Sequence, residues 1–386
     1  MIKKLETNAI RLQMERSQYF EHSTPLHLTS SFVFEDAEDM RASFAEEKKR
    51  NIYTRFTNPN TSEFIHKVAD MERAEYGVSF ATGMGAIFGT FAALLNAGDH
   101  VVSARSIFGS THTLFTEYLL KWNIETSYFQ IEEPESIKSL IQPNTKILYA
   151  QSPTNPGIDL LDLKLLGKIA KKHNLILIID NCFATPYLQQ PIKYCVDLEI
   201  HSATKLIDGQ GRVLGGVTLG NSELIGKIYL FGRNSGSALS LFNAWILSKS
   251  IETLTVRVDR HCQTVLATAE FLESHPKINW VKYPFSKSHP QYKLAKKQMS
   301  QGGSIITFEV KGGLEAGRDF LNDLVMLSLS SNLGDSGSIV THPASTTHRK
   351  LSEADRLEVG ITDGMIRLSV GLEHKEDIQN DLKKAL

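Results

Sequence analysis

Two apolar segments, each followed at once by residues that can do chemistry, constrain this sequence more than any other feature. The first, Leu175–Ile179, is an unbroken aliphatic run that leads directly into Asp180. The second, Tyr194–Ile200, is mixed in composition and leads into His-Ser-Ala-Thr-Lys, whose lysine is Lys205. Short apolar runs bounded by polar or turn residues predict strands. Two strands followed by a carboxylate and an amine therefore predict a site at one edge of a sheet.

The segments that precede these strands give the predicted sheet its direction. Lys146–Ala150 predicts an earlier strand with Asn155 in its exit loop, and Asp162–Asn174 has the apolar spacing of a helix. Strand, helix and strand at this spacing predict a βαβ unit with parallel strands. Ligands bind at the carboxyl ends of such strands, so we expect Asn155, Asp180 and Lys205 to lie close together.

The surroundings of Lys205 indicate an anion site with two interpretations. Ser202 and Thr204 flank the lysine, and a glycine-rich run that ends at Gly216 follows it. Hydroxyl and backbone N–H groups in such a turn can hold a phosphate. A P-loop is excluded because no G-x-x-x-x-G-K-[ST] pattern leads to Lys205. The alternative is a lysine that carries pyridoxal phosphate (PLP), with Asp180 as the acid that keeps the pyridine nitrogen protonated.

Taken in order, these motifs resemble a known family. The chain is similar to the Cys/Met-metabolism PLP-dependent enzymes, which include cystathionine γ-synthase, methionine γ-lyase and the homoserine-ester sulfhydrylases, from about Tyr53 to about Glu373. Within that family it most resembles the sulfhydrylases that act on O-succinylhomoserine. The resemblance implies the α/β fold of type I (aspartate aminotransferase-like) PLP-dependent transferases, with a mostly parallel central sheet and a smaller α+β C-terminal domain. It also implies pyridoxal 5'-phosphate as the cofactor, with Lys205 and Asp180 as catalytic residues.

The segment Tyr53-Thr-Arg is open to two interpretations. Residues two apart in an extended segment point the same way, so the Tyr53 and Arg55 side chains can grip one anion together. The residues alone favour the other interpretation, a surface turn before the helix predicted at Thr61–Arg73. The resemblance implies the first interpretation, with both side chains binding the cofactor phosphate of a neighbouring subunit. It therefore implies a homo-oligomer, a tetramer of two tight pairs in which two subunits share each active site.

The other cofactor-binding residues follow from the family match and from local patterns. Gly83 and Met84 open an apolar helix, and a helix N-terminus favours phosphate. The resemblance assigns their amides to the phosphate, Phe108 to stacking on the pyridine ring and Asn155 to the ring hydroxyl. Without it, Phe108 is equally well explained as a core aromatic. The expected cofactor-binding set is Tyr53, Arg55, Gly83, Met84, Phe108, Asn155, Asp180, Ser202, Thr204 and Lys205.

One arginine in a predicted C-terminal strand is the candidate for substrate binding. In Met365–Gly371, Arg367 alternates with apolar residues, which by itself is typical of a solvated face. Arginine also suits a two-pronged clamp on a carboxylate, which an amino-acid substrate needs. The resemblance assigns that clamp to Arg367, with Asn332 and Leu333 beside it.

The expected reaction is γ-replacement on an O-acylhomoserine, preferably O-succinylhomoserine, with sulfide as the second substrate and L-homocysteine as the product. A carboxylate leaving group has a conjugate-acid pKa of roughly 4 and leaves unprotonated, whereas a thiolate, at roughly 8.5, benefits from an acid. Phe108 stands where the family usually has an acid-capable tyrosine. Ser110 replaces the cysteine of methionine γ-lyases, and Asn332 replaces a serine of the synthases and lyases.

Other reactions stay open at this stage. The alternatives within the family are cystathionine γ-synthase, methionine or cystathionine γ-lyase and O-acetylhomoserine sulfhydrylase. Outside it, the alternative is a PLP-binding relic without turnover. A nicotinamide-binding fold is excluded because no G-x-G-x-x-G follows an early strand.

Length and composition set the remaining limits. The 386 residues suffice for an N-terminal arm at 1–55, a PLP-binding large domain at 56–250 and a small domain at 251–386. Helices are also expected at Asp36–Lys49 and at roughly Asn243–Glu273. The net charge of -1 gives no electrostatic reason to expect nucleic acid or a membrane as partner. No apolar run matches a membrane span or a signal peptide, so a cytoplasmic location is expected.

Neither cysteines nor histidines have the spacing of a metal site, and no metal is expected. The cysteines are odd in number and are expected to be buried free thiols: Cys182, Cys195 and Cys262. The histidines nearest the other motifs are expected to be polar loop residues: His201, His342 and His348.

Overall fold

The computed structural model describes residues 4–386, and within them the central sheet has seven strands. These are β1 (Tyr76–Phe80), β2 (His100–Ala104), β3 (Glu125–Phe129), β4 (Thr145–Gln151), β5 (Ile176–Asp180), β6 (Leu198–Ser202) and β7 (Gly216–Gly220). Their order is β1-β7-β6-β5-β4-β2-β3. Neighbouring strands are parallel except where β7 pairs with β1 and β6. The expected mostly parallel α/β sheet is therefore confirmed.

A second sheet, of five strands in the described residues, is mostly antiparallel and lies later in the chain. It consists of β8 (Ile278–Lys282), β9 (Ile305–Val310), β10 (Ser328–Leu329), β11 (Ile339–Thr341) and β12 (Met365–Ser369). Their order is β10-β11-β12-β9-β8, so β12 is paired on both sides. The smaller α+β unit expected near the C-terminus corresponds to this sheet and its helices.

Helices pack against both sheets. They are α1 (Leu5–Arg11), α2 (Ala37–Phe44), α3 (Pro59–Glu72), α4 (Gly83–Leu94), α5 (Gly109–Thr113), α6 (Ile137–Leu140), α7 (Leu163–His173), α8 (Thr185–Leu188), α9 (Ser222–Ser235), α10 (Leu241–Ile251), α11 (Leu254–Glu273), α12 (Tyr292–Gln298), α13 (Gly313–Asp323), α14 (Glu353–Glu358) and α15 (Lys375–Ala385). Among residues 4–386, no helix combines the length and apolar character that crossing a membrane requires.

The predicted βαβ unit is present as β4, α7 and β5. The Asp162 carboxylate caps α7 by accepting the Leu165 amide at 3.0 Å, which satisfies a donor at the helix start. Leu166 and Ile169 are buried against the sheet, so α7 covers it with one apolar face. Asn174 ends the helix in the left-handed region, with φ of 53°. Because α7 packs on the sheet and connects the end of β4 to the start of β5, the two strands run parallel.

Two predicted elements have different bounds in the structure. The segment Tyr194–Ile200 becomes a strand only at Leu198, because a 3-10 turn precedes it and Cys195 adopts a positive φ of 63°. The helix expected at Asp36–Lys49 ends at Phe44, shortly before another left-handed residue, Glu46. The region Asn243–Glu273 is largely helical, as expected, and is divided between α10 and α11.

The environments of the cysteines and histidines were only partly predicted. Cys182 and Cys262 are buried free thiols as expected, but Cys195 is exposed because it lies in a tight surface turn. The prediction of a polar loop residue is wrong for His201, whereas His342 does lie outside helices and strands. His201 belongs to the buried strand β6, and His342, directly after β11, is buried and bonded to the Asp363 carbonyl oxygen at 2.6 Å.

The N-terminal segment folds back onto the part of its own chain that is built around the central seven-stranded sheet, called the large unit below. Ala9 of α1 is buried against α3, and the Asn8 side chain donates to the Asp70 carboxylate at 2.8 Å. The domain boundaries expected at residues 55 and 250 remain predictions.

Gly216 sets how closely α4 approaches β7, and its replacement tests this contact. A Cβ there would lie 2.1 Å from the Thr82 carbonyl oxygen and 2.8 Å from the Gly83 amide nitrogen. Since both atoms belong to the backbone, we expect Gly216→Ala to lower the free energy of unfolding by about 1–3 kcal/mol in urea denaturation. Gly226→Ala on α9 is the control, because a Cβ there meets nothing within 4 Å. Equal stability of the two variants would contradict this account.

Candidate active site

A cavity of about 910 Å³ opens where β4, β5 and β6 end. The loop after β4, the end of β5, the turn after β6 and the start of α4 form one side, and segments next to the small sheet form the other. All the site residues expected from the sequence line it except Tyr53, Arg55 and Asn332. Those that line it are Gly83, Met84, Phe108, Asn155, Asp180, Ser202, Thr204, Lys205, Leu333 and Arg367.

Lys205 lies in the turn after β6 and reaches across to the small-sheet side. Its Nζ donates to the Asn332 side-chain oxygen at 2.5 Å, and the side-chain nitrogen of Asn332 donates to the Asp335 carboxylate at 2.9 Å. Burial lowers the pKa of Lys205, and the Arg367 charge lowers it further, whereas Cys182 and Asp335 oppose the shift. A lysine with a lowered pKa is neutral more often, so its nitrogen is a better nucleophile and base.

Asp180 lies at the end of β5, where only 6% of the residue is exposed. Its Oδ1 accepts the Cys182 amide at 3.0 Å. Burial raises the pKa of Asp180 to about 6, while the Cys182 hydrogen bond and the nearby His201 hold the rise back. A carboxylate with this little water around it is stabilised by a cationic partner, and a protonated pyridine nitrogen is one.

The start of α4 and the turn after β6 form a cradle suited to phosphate. Thr82 caps α4 by accepting the Gly85 amide at 2.9 Å, and no described hydrogen bond uses the amides of Gly83 and Met84. A Cβ on Gly83 would lie 2.6 Å from the Ser202 Cβ, so only glycine permits this approach. Free amides at the positive end of a helix, beside a serine hydroxyl, fit a phosphate dianion. The Thr204 hydroxyl is instead bonded to the Gly215 backbone.

Arg367 is buried, contrary to the solvated face that its alternating pattern alone indicated. It lies on β12, which is paired with β11 and β9. Only 5% of the residue is exposed, because the large unit covers this part of the small sheet. Its guanidinium donates to Asn155 Oδ1 at 3.1 Å and to the Ser331 and Asn332 carbonyl oxygens at 3.2 and 3.0 Å. The Nε atom is buried without a partner. Burial lowers the pKa of Arg367 to about 10, so it stays cationic at neutral pH.

Phe108 precedes α5 and lines the cavity with 40% of its surface exposed. It is therefore not a core aromatic, which was the alternative left open by the sequence. Asn155 also lines the cavity, but its side-chain oxygen accepts from Arg367, so it links the two sides of the site. Leu333 is buried at the same wall.

Tyr53 and Arg55 lie away from the cavity of their own chain. Tyr53 is 41% exposed, and the Arg55 guanidinium bonds the Arg233 carbonyl oxygen and lies over the Phe56 ring. Arg55 lines a separate cavity of about 190 Å³. Their expected role in the site of a neighbouring subunit remains a prediction.

Several residues in the cavity wall were missed by the sequence reasoning. His112 and Arg105 come from the segment around α5, and His348 and Lys350 from the segment after β11. No spacing pattern marks these residues, because Arg105, His348 and Lys350 lie outside helices and strands and His112 lies on the short helix α5. His348, expected to be a polar loop residue, lies in a turn. Burial and the Arg367 charge lower its pKa to about 4, so it is neutral at pH 7.

A buried cluster beneath Asp180 was also missed. His201 Nε2 lies 2.6 Å from Glu72 Oε1, which also accepts a hydrogen bond from the side-chain amide of Asn181 at 2.9 Å. Glu199, the third member, accepts the Ile192 amide at 2.6 Å. Within residues 4–386 this is the one group of three whose ligand-type atoms lie within 4.8 Å of one another, but the Glu72–His201 hydrogen bond already occupies two of them. Glu72 and His201 are 129 positions apart, so no sequence pattern links them.

Burial opposes ionisation of both carboxyl groups of this cluster, and Glu72 further opposes that of Glu199, whereas a hydrogen bond with Glu199 favours ionisation of Glu72. Burial raises the pKa of Glu72 to about 7, and burial together with Glu72 raises that of Glu199 well above its ordinary value. Burial lowers the pKa of His201. Two buried carboxylates this close cannot both be charged without a large cost, so at neutral pH the pair retains a proton.

The cluster predicts a specific dependence of stability on pH. An acid whose pKa is raised by folding stabilises the fold below its ordinary pKa, near 4.5, and loses that contribution as the pH rises. Glu199→Gln removes one such acid, so its cost in melting temperature should be larger at pH 5.5 than at pH 8. Glu132→Gln, at an exposed site, should show no such difference. A cost for Glu199→Gln that grows with pH would contradict the assignment.

Comparisons with known proteins agree with this geometry. Residues 6–386 match the family described as Cys/Met metabolism PLP-dependent enzyme. An O-succinylhomoserine sulfhydrylase from Pseudomonas aeruginosa is 42% identical over 99% of this chain and 94% of its own. An L-methionine gamma-lyase from Fusobacterium nucleatum is 40% identical over 99% of this chain and 98% of its own.

A solved structure gives the same result at the level of the fold. A Campylobacter jejuni protein described as an O-acetylhomoserine (thiol)-lyase superposes with a TM-score of 0.95, at 33% identity, over 99% of both chains. In that structure the cofactor is present as N'-pyridoxyl-lysine-5'-monophosphate. The expected fold class, PLP-dependent transferase of type I, is therefore confirmed. The chain belongs to the Cys/Met metabolism family of PLP-dependent enzymes, and its cofactor is pyridoxal 5'-phosphate.

Proposed function

We propose that this protein catalyses γ-replacement on an O-acylhomoserine, with O-succinylhomoserine preferred, using sulfide to form L-homocysteine and the free acid. The observation that carries this proposal is that one cavity is lined by an amine of lowered pKa, Lys205, a buried acid, Asp180, and a buried arginine, Arg367. An amino acid bound there meets a base and a carboxylate clamp at once. The P. aeruginosa relative supports the choice of ester.

The residues around the cavity fit the cofactor. The amides of Gly83 and Met84, with the Ser202 hydroxyl, would hold the phosphate, and Asp180 would hold the proton of the pyridine nitrogen. Phe108 is exposed to the cavity at a position suited to stacking on the ring. The chemistry supplied there by bound PLP is withdrawal of electrons from the amino acid, which acidifies its α and β C–H bonds.

Lys205 is the proposed covalent anchor and then the proton carrier. Its Nζ has a lowered pKa, which favours the neutral amine that a base must be. The Asn332 oxygen, 2.5 Å away, orients that nitrogen. Lys205 takes the α-proton and then a β-proton of the substrate, and after exchange at the γ-carbon it returns one proton to each of these carbons. There the C–O bond breaks with its electron pair on the departing carboxylate, and the sulfur of hydrosulfide forms the new C–S bond.

Arg367 is the proposed clamp for the substrate α-carboxylate. Its buried Nε has no partner, and its terminal nitrogens are aligned by Asn155 and by backbone oxygens of Ser331 and Asn332. A planar guanidinium held on both sides can bind a carboxylate with two parallel hydrogen bonds.

Arg367→Lys tests the clamp. The charge remains, but the fork of donors is lost, so we expect KM for the homoserine ester to rise about 10- to 100-fold. Arg318→Lys on α13, at an exposed site, is the matched control and should leave KM unchanged. An unchanged KM in Arg367→Lys would assign the α-carboxylate to another residue.

A γ-lyase acting on methionine is the second candidate, because the F. nucleatum relative is nearly as similar as the sulfhydrylase. The two reactions differ in their leaving group. A carboxylate departs without a proton, whereas a thiolate benefits from an acid, and the Phe108 ring cannot supply one. Phe108 therefore favours the ester.

Phe108→Tyr tests this argument by restoring a phenol at the cavity. We expect elimination from methionine or cystathionine to increase in the variant relative to turnover of the ester, since a phenol can protonate a leaving thiolate. Rates of α-keto acid release measure the elimination. The argument fails if the native protein already splits methionine or cystathionine as fast as the ester.

The function as a whole is tested by steady-state kinetics with three esters and two thiol donors. O-succinyl-, O-acetyl- and O-phosphohomoserine are each combined with sulfide or cysteine, and methionine is assayed alone. The proposal expects the highest kcat/KM for O-succinylhomoserine with sulfide. Cystathionine as the main product would point to a synthase, and keto acid without a thiol donor to a lyase.

The proposed assembly is a homotetramer of two tight pairs. Tyr53 and Arg55, which lie away from their own cavity, are proposed to complete the phosphate site of the neighbouring subunit. Mixing Lys205→Ala and Arg55→Ala subunits would restore activity if each site draws on two chains.

A further inference from the structure

The wall of the active-site cavity carries more positive than negative charge. Its cationic residues are Arg105, Lys350 and Arg367, in addition to the Lys205 amine that is assigned to the cofactor, whereas Asp180 is the one carboxylate among the lining residues in the described range 4–386. The α-carboxylate of the substrate accounts for one of these cations, and the cofactor phosphate is assigned to the start of α4. Additional positive charge favours a further anionic group in the bound substrate.

Lys205 and two of the three cations are already engaged. Lys205 is bonded to Asn332, and Arg367 to Asn155 and two backbone oxygens. Arg105 lies 3.4 Å from the Glu358 carboxylate and over the Tyr128 ring. These groups have protein partners before any substrate arrives.

Lys350 differs from them. It lines the cavity and is exposed, and none of the hydrogen bonds or ion pairs within residues 4–386 involves its ammonium group. It follows His348 in the segment after β11, and the positive charge of Arg367 lowers the pKa of His348. The same segment thus lies beside the proposed α-carboxylate clamp and extends to the exposed part of the cavity. Because the imidazole of His348 is neutral at pH 7, the positive charge of this lining segment comes from Lys350.

We propose that Lys350 binds the distal carboxylate of the acyl group and so selects a dicarboxylic half-ester of homoserine over the acetyl ester. This inference rests on the proposed function, since it concerns the substrate of the same site. A succinyl group carries a free carboxylate, whereas an acetyl group and the side chain of methionine carry no charge. A lysine ammonium on a flexible stem can follow such a carboxylate without a fixed geometry. Lys350 is thus a specificity-determining residue that leaves the chemical step to Lys205.

The test compares Lys350→Met with Arg349→Met. Arg349 is the adjacent exposed cation and does not line the cavity, so its variant removes the same charge from nearly the same position in the chain. With sulfide as second substrate, we expect Lys350→Met to lower kcat/KM for O-succinylhomoserine about 5- to 30-fold, as for loss of a partly exposed charge-assisted hydrogen bond. O-acetylhomoserine should change less than about 2-fold in the same variant. Lys350→Arg should keep most of the preference.

A binding measurement separates this proposal from the proposed function. Nγ-succinyl- and Nγ-acetyl-L-2,4-diaminobutyrate replace the ester by an amide, which is a poor leaving group. Calorimetric titration of the holoenzyme with both probes gives the contribution of the distal carboxylate without turnover. We expect the succinyl probe to bind the native protein more tightly, and Lys350→Met to abolish that advantage. The advantage should also shrink as salt rises from about 0.05 M to about 0.5 M, because ions screen exposed charges.

Several outcomes would overturn the role of Lys350. They are an unchanged ratio of succinyl to acetyl kcat/KM in Lys350→Met, an equal change in Arg349→Met, or a parallel loss with both esters. A native protein that turns over neither ester but still binds the succinyl probe through Lys350 would refute the proposed function and leave the anion subsite intact. If the probe shows no dependence on Lys350 while the ester kinetics hold, the subsite alone is refuted.

Discussion

The parallel pairing of β4, β5 and β6 is the constraint on which the rest of the site depends. Their register brings three strand ends to one edge, so the loop with Asn155, the carboxylate of Asp180 and the turn with Lys205 face one cavity. Parallel strands need crossover connections, and α7 supplies one between β4 and β5 with its apolar face on the sheet. The chemistry of the site is thus a consequence of sheet topology, and the side chains need only follow the strands in the right order.

Close packing between backbone segments completes this arrangement. Glycine at 83 and 216 lets the start of α4 approach Ser202 and β7 to distances that no side chain would allow. The approach orients free amides of a helix N-terminus toward the same edge. Beneath it, the proton-sharing pair of Glu72 and Glu199 keeps charge near Asp180 low. Because this pair retains a proton, it repels the Asp180 carboxylate less, and Asp180 can stay anionic opposite the protonated pyridine nitrogen of the cofactor.

Much of this could be predicted from the sequence, because its information is local. Apolar runs that end in Asp180 and near Lys205 have the period and length of strands, and the helix between them carries its own cap at Asp162. Contacts between distant segments could not be predicted in the same way. The burial of Arg367 depends on the large unit covering β12, and the partner of His201 lies 129 positions away. Lys350 comes to the cavity on a loop that has no periodic pattern.

The hydrogen bonds that cross the cavity have a further consequence for how the two sheets work together. Lys205 and Asn155 belong to the large unit, whereas Asn332 and Arg367 belong to the small one. Both links therefore fix the position of the small sheet relative to the strand ends of the central sheet. The same contact between the sheets orients the Lys205 amine through Asn332 and the Arg367 guanidinium through Asn155.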